Sequence, residues 1–117
     1  MLLTTDNTTW TVTALLYSGR QNPAWLLTAT EQRSWMELWQ SAVLNDTAQK
    51  PLPGLGYSGC TLQFEKRSHW HLFNGCVLFY EKGKVIAKKD NDRTMELLLL
   101  SSAPLEVKQE LQLMKII

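Results

Sequence analysis

The sequence predicts an α+β domain: an antiparallel β-meander of four to five strands with helices packed on one face, in two layers. Three observations predict it. One strongly capped amphipathic helix follows a single early strand. Several short alternating runs, separated by tight turns, come after that helix. Two further helical stretches close the chain.

Thr9 to Tyr17 alternates, with Trp10, Val12, Ala14 and Leu16 on one face and threonines dominating the other. Threonine and valine favour strands, so this is the first strand. Gly19 and Pro23 break regular structure in the segment SGRQNPAW, residues 18–25. Thr28 and Glu31 then have the spacing of a capping box, in which the hydroxyl and the carboxylate satisfy each other's free backbone N–H. A helix is expected from there to about Leu44. Trp35, Leu38, Trp39, Ala42 and Val43 recur at i, i+3, i+4, i+7 and i+8, an apolar stripe.

Asn45 to Gly59 carries Pro51, Pro53, Gly54, Gly56 and Gly59 and reads as a long loop within one domain, 1–117. Cys60, Leu62 and Phe64 alternate with polar neighbours and make a second strand. His69 to Phe73 makes a third, with Trp70 and Leu72 opposite His69, His71 and Phe73. Asn74-Gly75 is a strong hairpin signal, with a bulge in one longer strand as the alternative. Cys76 to Tyr80 and Lys84 to Lys88 are the remaining strands, joined at Lys82-Gly83. Asp90 or Asp92 caps a helix from Arg93 to Ser102, ended by Pro104. Leu105 to Ile117 has helical spacing at Val107, Leu111 and Met114.

The 117 residues are 44% hydrophobic and carry a net charge of +1, which excludes a disordered chain. A chain this long buries about two-thirds of its surface, enough for one core. No 18-residue apolar run is present, so no membrane partner is expected. Met1 to Asn7 lacks the basic region of a signal peptide, and the two cysteines, Cys60 and Cys76, do not form a disulfide framework. These features read as cytoplasmic. Five tryptophans stand out. Each buries about 200 Å² or more, so some must fill the core, and any left outside would mark a contact surface.

The patterns that carry chemistry are sparse. His69 and His71 share a strand face and could meet a metal, with a third ligand from a neighbouring strand such as Glu65, Cys60 or Cys76, but no CxxC, HExxH or second histidine pair supports this, so no metal site is expected. Ser58 in GYSGC only loosely follows a nucleophile turn, and Glu65 and Glu81 form no acid–base pair. No cofactor cradle is present, and the chain reads as a non-enzyme. Lys82, Lys84, Lys88 and Lys89, with Phe73, Trp70 or Tyr80 as stacking platforms, would suit nucleic acid as a second reading. Lysines on such a hairpin also protect a sheet edge.

The more informative feature is geometric. If the first two strands pair antiparallel, SGRQNPAW and GLGYSG lie at one end of the sheet. Arg20, Asn22, Trp25 and Tyr57 then converge into a partner-binding surface of arginine and aromatics. The competing reading has Trp25 plugging the helix–sheet junction and Arg20 tying down the loop. The expected partner is a protein or an extended peptide added to a sheet edge.

Ser18-Gly19-Arg20-Gln21-Asn22-Pro23-Ala24-Trp25 resembles an S-G-R-x-[ND]-P-x-W motif of small bacterial proteins, cyanobacterial ones among them. In these, an L-G-Y-x-G element like Leu55-Gly56-Tyr57-Ser58-Gly59 follows one helix later. A segment like Asp92 to Leu99 comes near the end. The resemblance spans most of the chain. It carries no assigned activity. A small non-catalytic assembly factor, such as one of the carboxysome, would fit a cyanobacterial setting.

Overall fold

The computed structural model describes residues 9–16, 21–45, 57–65 and 67–117. Strands β1 (Thr11–Ala14) and β2 (Ala24–Leu26) precede helix α1 (Ala29–Ser41). Four strands follow: β3 (Cys60–Glu65), β4 (Ser68–Phe73), β5 (Cys76–Glu81) and β6 (Lys84–Lys89). Helices α2 (Thr94–Ser101) and α3 (Leu105–Leu113) end the chain. All six strands form one antiparallel sheet in the order β2-β1-β3-β4-β5-β6.

Six strands replace the expected four to five. The addition is β2, inside the segment that its breakers marked as a loop. Pro23 does not prevent pairing, because it contributes only its carbonyl, which accepts from Ala14 N at 3.0 Å. Three residues are too few to show alternation in sequence. At the opposite edge, Lys89 N donates to Val43 O at 2.8 Å and Asn45 N to Ala87 O at 2.9 Å. This pairing draws residues 43–45 into extended backbone and stops α1 at Ser41, short of Leu44. The start of α1 matches its sequence signal: Glu31 N donates to Thr28 Oγ1 at 3.2 Å, and Thr28 N to Glu31 Oε1 at 2.8 Å.

The strand register sorts the side chains. Val12, Leu62, Trp70 and Phe79 are cross-strand neighbours on one face, with Ala14, Cys60, Leu72 and Val77 in the next row. Trp35 and Trp39 of α1 meet Trp70 edge-on, with ring centroids 5.3 and 5.9 Å away. Met95, Leu99 and Leu100 of α2 and Leu111 of α3 belong to the same buried cluster. Thr13, Thr61, His71 and Leu78 lie on the other face. Asn74-Gly75 is a two-residue hairpin turn between Phe73 and Cys76, with φ of 49° and 88°. Both residues are left-handed, as a type I′ turn requires.

The N-cap position of α2 is Arg93, but the first α2 amides are capped from further upstream by the side chain of Asp90. Its carboxylate accepts from Met95 N at 2.7 Å and Glu96 N at 2.9 Å, across a short turn at Asn91–Arg93. Asp92 and Arg93 both adopt left-handed backbone there, with φ of 55° and 58°.

Candidate functional site

β1 and β3 do pair antiparallel, so the exit of β1 and the entry to β3 lie at one end of the sheet. Leu15 N donates to Gly59 O at 2.9 Å, and Ser58 N to Leu15 O at 3.0 Å. Leu16 N donates to the Asn22 side-chain oxygen at 2.9 Å. Asn22 and residues 58–59 therefore hold Leu15–Leu16 from two sides. Of the four residues singled out from sequence, the three that are described, Asn22, Trp25 and Tyr57, have separate surroundings. Trp25 is buried, and its indole N–H donates to Ser102 Oγ at 2.8 Å. Asn22 binds backbone. Arg20 lies outside the described residues. Tyr57 is half-buried and turns toward α2.

Around Tyr57 four distant segments meet. A cleft of about 220 Å³ is lined by Tyr57, Phe73, Asn74, Arg93, Glu96, Lys115 and Ile116. Its floor is Glu96, which has no solvent exposure. One carboxylate oxygen accepts from Asn74 N at 3.1 Å. The other accepts from the Tyr57 hydroxyl and from Arg93 Nη2, the latter at 2.9 Å. Arg93 Nη1 donates to Ile116 O at 3.3 Å. The Tyr57 and Phe73 rings form a wall, with centroids 6.0 Å apart.

Burial, then the neighbouring Cys60 thiol, then the hydrogen bond to Glu96 push the Tyr57 phenol well above its ordinary range. The bond to Glu96 raises Arg93 and keeps it charged. Burial pushes the Asp90 carboxyl up, partly offset by its two backbone donors. Five described residues other than glycine have positive φ, and three of them, Asn74, Arg93 and Lys115, line this cleft. Asn74 takes this conformation in the type I′ turn and Lys115 at the end of α3, where Lys115 N and Ile116 N donate to Gln112 O and Leu111 O.

Sequence reasoning missed Arg93, Asn74, Lys115, Ile116 and above all Glu96 as site residues. One signal was available. Glu96 stands three and four residues before Leu99 and Leu100, which places a carboxylate on the buried stripe of α2. An acid there needs partners.

The other candidates are tied up locally. His71 Nε2 is 3.0 Å from Ser58 O, and because a carbonyl only accepts, this nitrogen carries the proton. His69 stacks on Tyr80 at 4.9 Å. Its pKa is lowered, first by burial and then by His71. Among the described residues, no group of three or more His, Cys, Asp or Glu is placed to hold a metal. Lys88 donates to Trp39 O at 2.7 Å and sits 4.2 Å over the Trp39 ring, while Trp70 is buried. Neither is presented to a nucleic acid. Cys60 and Cys76 are free thiols, with Cys60 fully buried. No helix among the described residues is long and apolar enough to cross a membrane.

The fold and the cleft define an antiparallel α+β chain with a small recess at a sheet end. No protein family, curated protein or solved structure matches it.

Proposed function

We propose that this chain is a non-catalytic protein-binding module, of the assembly-factor kind, that grips one residue of a partner in the Tyr57–Phe73 cleft. The observation that carries the proposal is the size of the cleft, about 220 Å³. Small-molecule sites usually enclose about 300–1,000 Å³. A recess below that range suits a single anchoring residue, the usual centre of a protein interface.

The wiring of the cleft supports the non-catalytic part. Both Glu96 oxygens already accept hydrogen bonds, and the Tyr57 hydroxyl already donates. A phenol pushed upward in pKa is a poor base near neutral pH. These groups hold a shape instead of awaiting a proton. We further infer that all three helices pack on the Trp70 face of the sheet. The packing of Trp35 and Trp39 on Trp70 supports this. In this reading Asn22 and Trp25 shape the sheet end, and Arg20 is kept as a proposed partner contact from the sequence alone.

The test is affinity capture from the native host with the full chain, followed by mass spectrometry, in parallel with Lys115→Glu and Phe73→Ala. A partner retained by the wild type and lost with Lys115→Glu, at unchanged melting temperature, supports the reading. Undiminished capture by both variants sinks it.

A further inference from the structure

The donors and acceptors of the cleft are unevenly used, and the imbalance specifies a ligand. Every carboxylate oxygen at its floor is occupied: Glu96 by Asn74 N, Tyr57 and Arg93, and the adjacent Asp90 by two α2 backbone N–H groups. Its donors are not. A guanidinium has five N–H donors, and those of Arg93 are only partly used, by Glu96, Ile116 O and the Tyr57 oxygen. The Arg93 side chain is 33% exposed. Lys115 is exposed, and among the described residues its ammonium enters no ion pair. The remaining lining, Tyr57, Phe73 and Ile116, is aromatic or apolar.

We propose that the cleft recognises the C-terminal carboxylate of a partner chain whose last residue is apolar or aromatic. This rests on the reading of the cleft as the gripping site. Unfilled donors beside filled acceptors favour an anion. Glu96 and Asp90 stand behind Arg93 and disfavour a dianion, so a carboxylate fits better than a phosphate. The walls call for an apolar group within a few bonds of that carboxylate. A glutamate or aspartate side chain has only one or two methylenes to offer. A chain terminus carries its carboxylate and an apolar side chain on one Cα, and about 220 Å³ accommodates one such residue.

The test is a titration of the isotope-labelled full chain, followed by the backbone amide resonances of Asn74, Gly75 and Lys115. The probes are N-acetyl-Gly-Phe with a free carboxylate, the same dipeptide as its C-terminal amide, and phenylacetate. The acid is expected to move these resonances at millimolar concentration. The amide should bind about tenfold more weakly, the loss of one charge-assisted hydrogen bond. Lys115→Gln should weaken the acid by about threefold, as for an exposed ion pair, and leave the amide unaffected. Equal binding of acid and amide overturns the proposal, as do unmoved cleft resonances. Phenylacetate binding as tightly as the dipeptide acid overturns the chain-end assignment in favour of a free organic acid. If the acid fails while partner capture still requires Phe73 and Lys115, the carboxylate is wrong and the gripping site stands. If both fail, the site itself is wrong.

Discussion

The Tyr57 hydroxyl donates to the buried Glu96 carboxylate, joining the segment ahead of β3 to the first turn of α2. The same carboxylate holds Arg93 and the backbone of the β4–β5 turn. One side chain thus ties three separate parts of the chain. Tyr57→Phe removes one donor and should destabilise the fold by about 1–2 kcal/mol. Glu96→Gln leaves Arg93 without its counter-ion and replaces one acceptor with a donor. Its expected cost is larger, about 2–4 kcal/mol, moderated by the partial exposure of Arg93. Urea melts of both variants check the order. A Glu96→Gln variant as stable as the wild type would show that the network contributes nothing to folding.

The same network sets an alkaline limit. Burial pushes the Cys60 thiol above its ordinary value of 9.0 and the Tyr57 phenol above 10.0. The unfolded chain releases these protons first, so the native state holds more protons above pH 9. Stability is therefore complete below about pH 9 and falls as pH rises beyond it. Each such group adds a slope of up to about 1.4 kcal/mol per pH unit. Chemical melts between pH 7 and 11 should show the fall, and Tyr57→Phe should make it shallower above pH 10. A flat profile up to pH 11 would contradict the burial of both groups.

The readable parts of this fold are those whose physics is local. The Thr28–Glu31 box, the Asn74-Gly75 turn and the alternation of Trp10, Val12, Ala14 and Leu16 each depend on residues a few positions apart. The structure retains all three. β2 escaped notice because three residues beside a proline carry no periodic signal. The helix end at Ser41 is a tertiary effect, set by the pairing of Val43 and Asn45 with β6. The cleft is harder still to read. Tyr57, Asn74, Glu96 and Lys115 acquire meaning only when brought together, and nothing near Trp25 in sequence announces a bond to Ser102. Antiparallel pairing of β1 with β3 puts Tyr57 and Asn22 at the sheet end expected from sequence. Composition alone then overrated Trp25 as a surface residue, because a tryptophan beside an arginine has the same letters whether its ring faces solvent or core.

Trp35, Trp39 and Trp70 make a testable core. Trp35 is fully buried against Trp70, and Trp39 also meets Phe79 at 5.7 Å. Trp35→Ala should cost about 3–5 kcal/mol, the range for emptying a large aromatic site. Trp39→Ala should cost somewhat less, because Trp39 is 9% exposed and Lys88 covers part of its ring. Near-ultraviolet circular dichroism should weaken in both. A loss under about 1 kcal/mol for Trp35→Ala would remove α1 from the core.

Gly59 offers the sharpest single test of the sheet end. Its φ is +104°, in the region that side chains rarely adopt. A Cβ placed there would lie 2.2 Å from Leu72 O, with Phe73 Cβ at 3.0 Å and His71 Nε2 at 3.1 Å. The nearest obstacle is backbone of a central strand, which cannot yield as a flexible side chain would. Gly59→Ala therefore combines torsional strain with a clash and should cost about 3 kcal/mol or more. It should also disturb the cleft, since Gly59 stands two residues after Tyr57 and against Phe73. Gly83, with φ of +80° and open space around it, is the control: Gly83→Ala carries the torsional strain alone and should cost about 1 kcal/mol. Melting both variants separates strain from clash. Equal losses at the two positions would mean that the close approach of residue 59 to β4 is not present in solution.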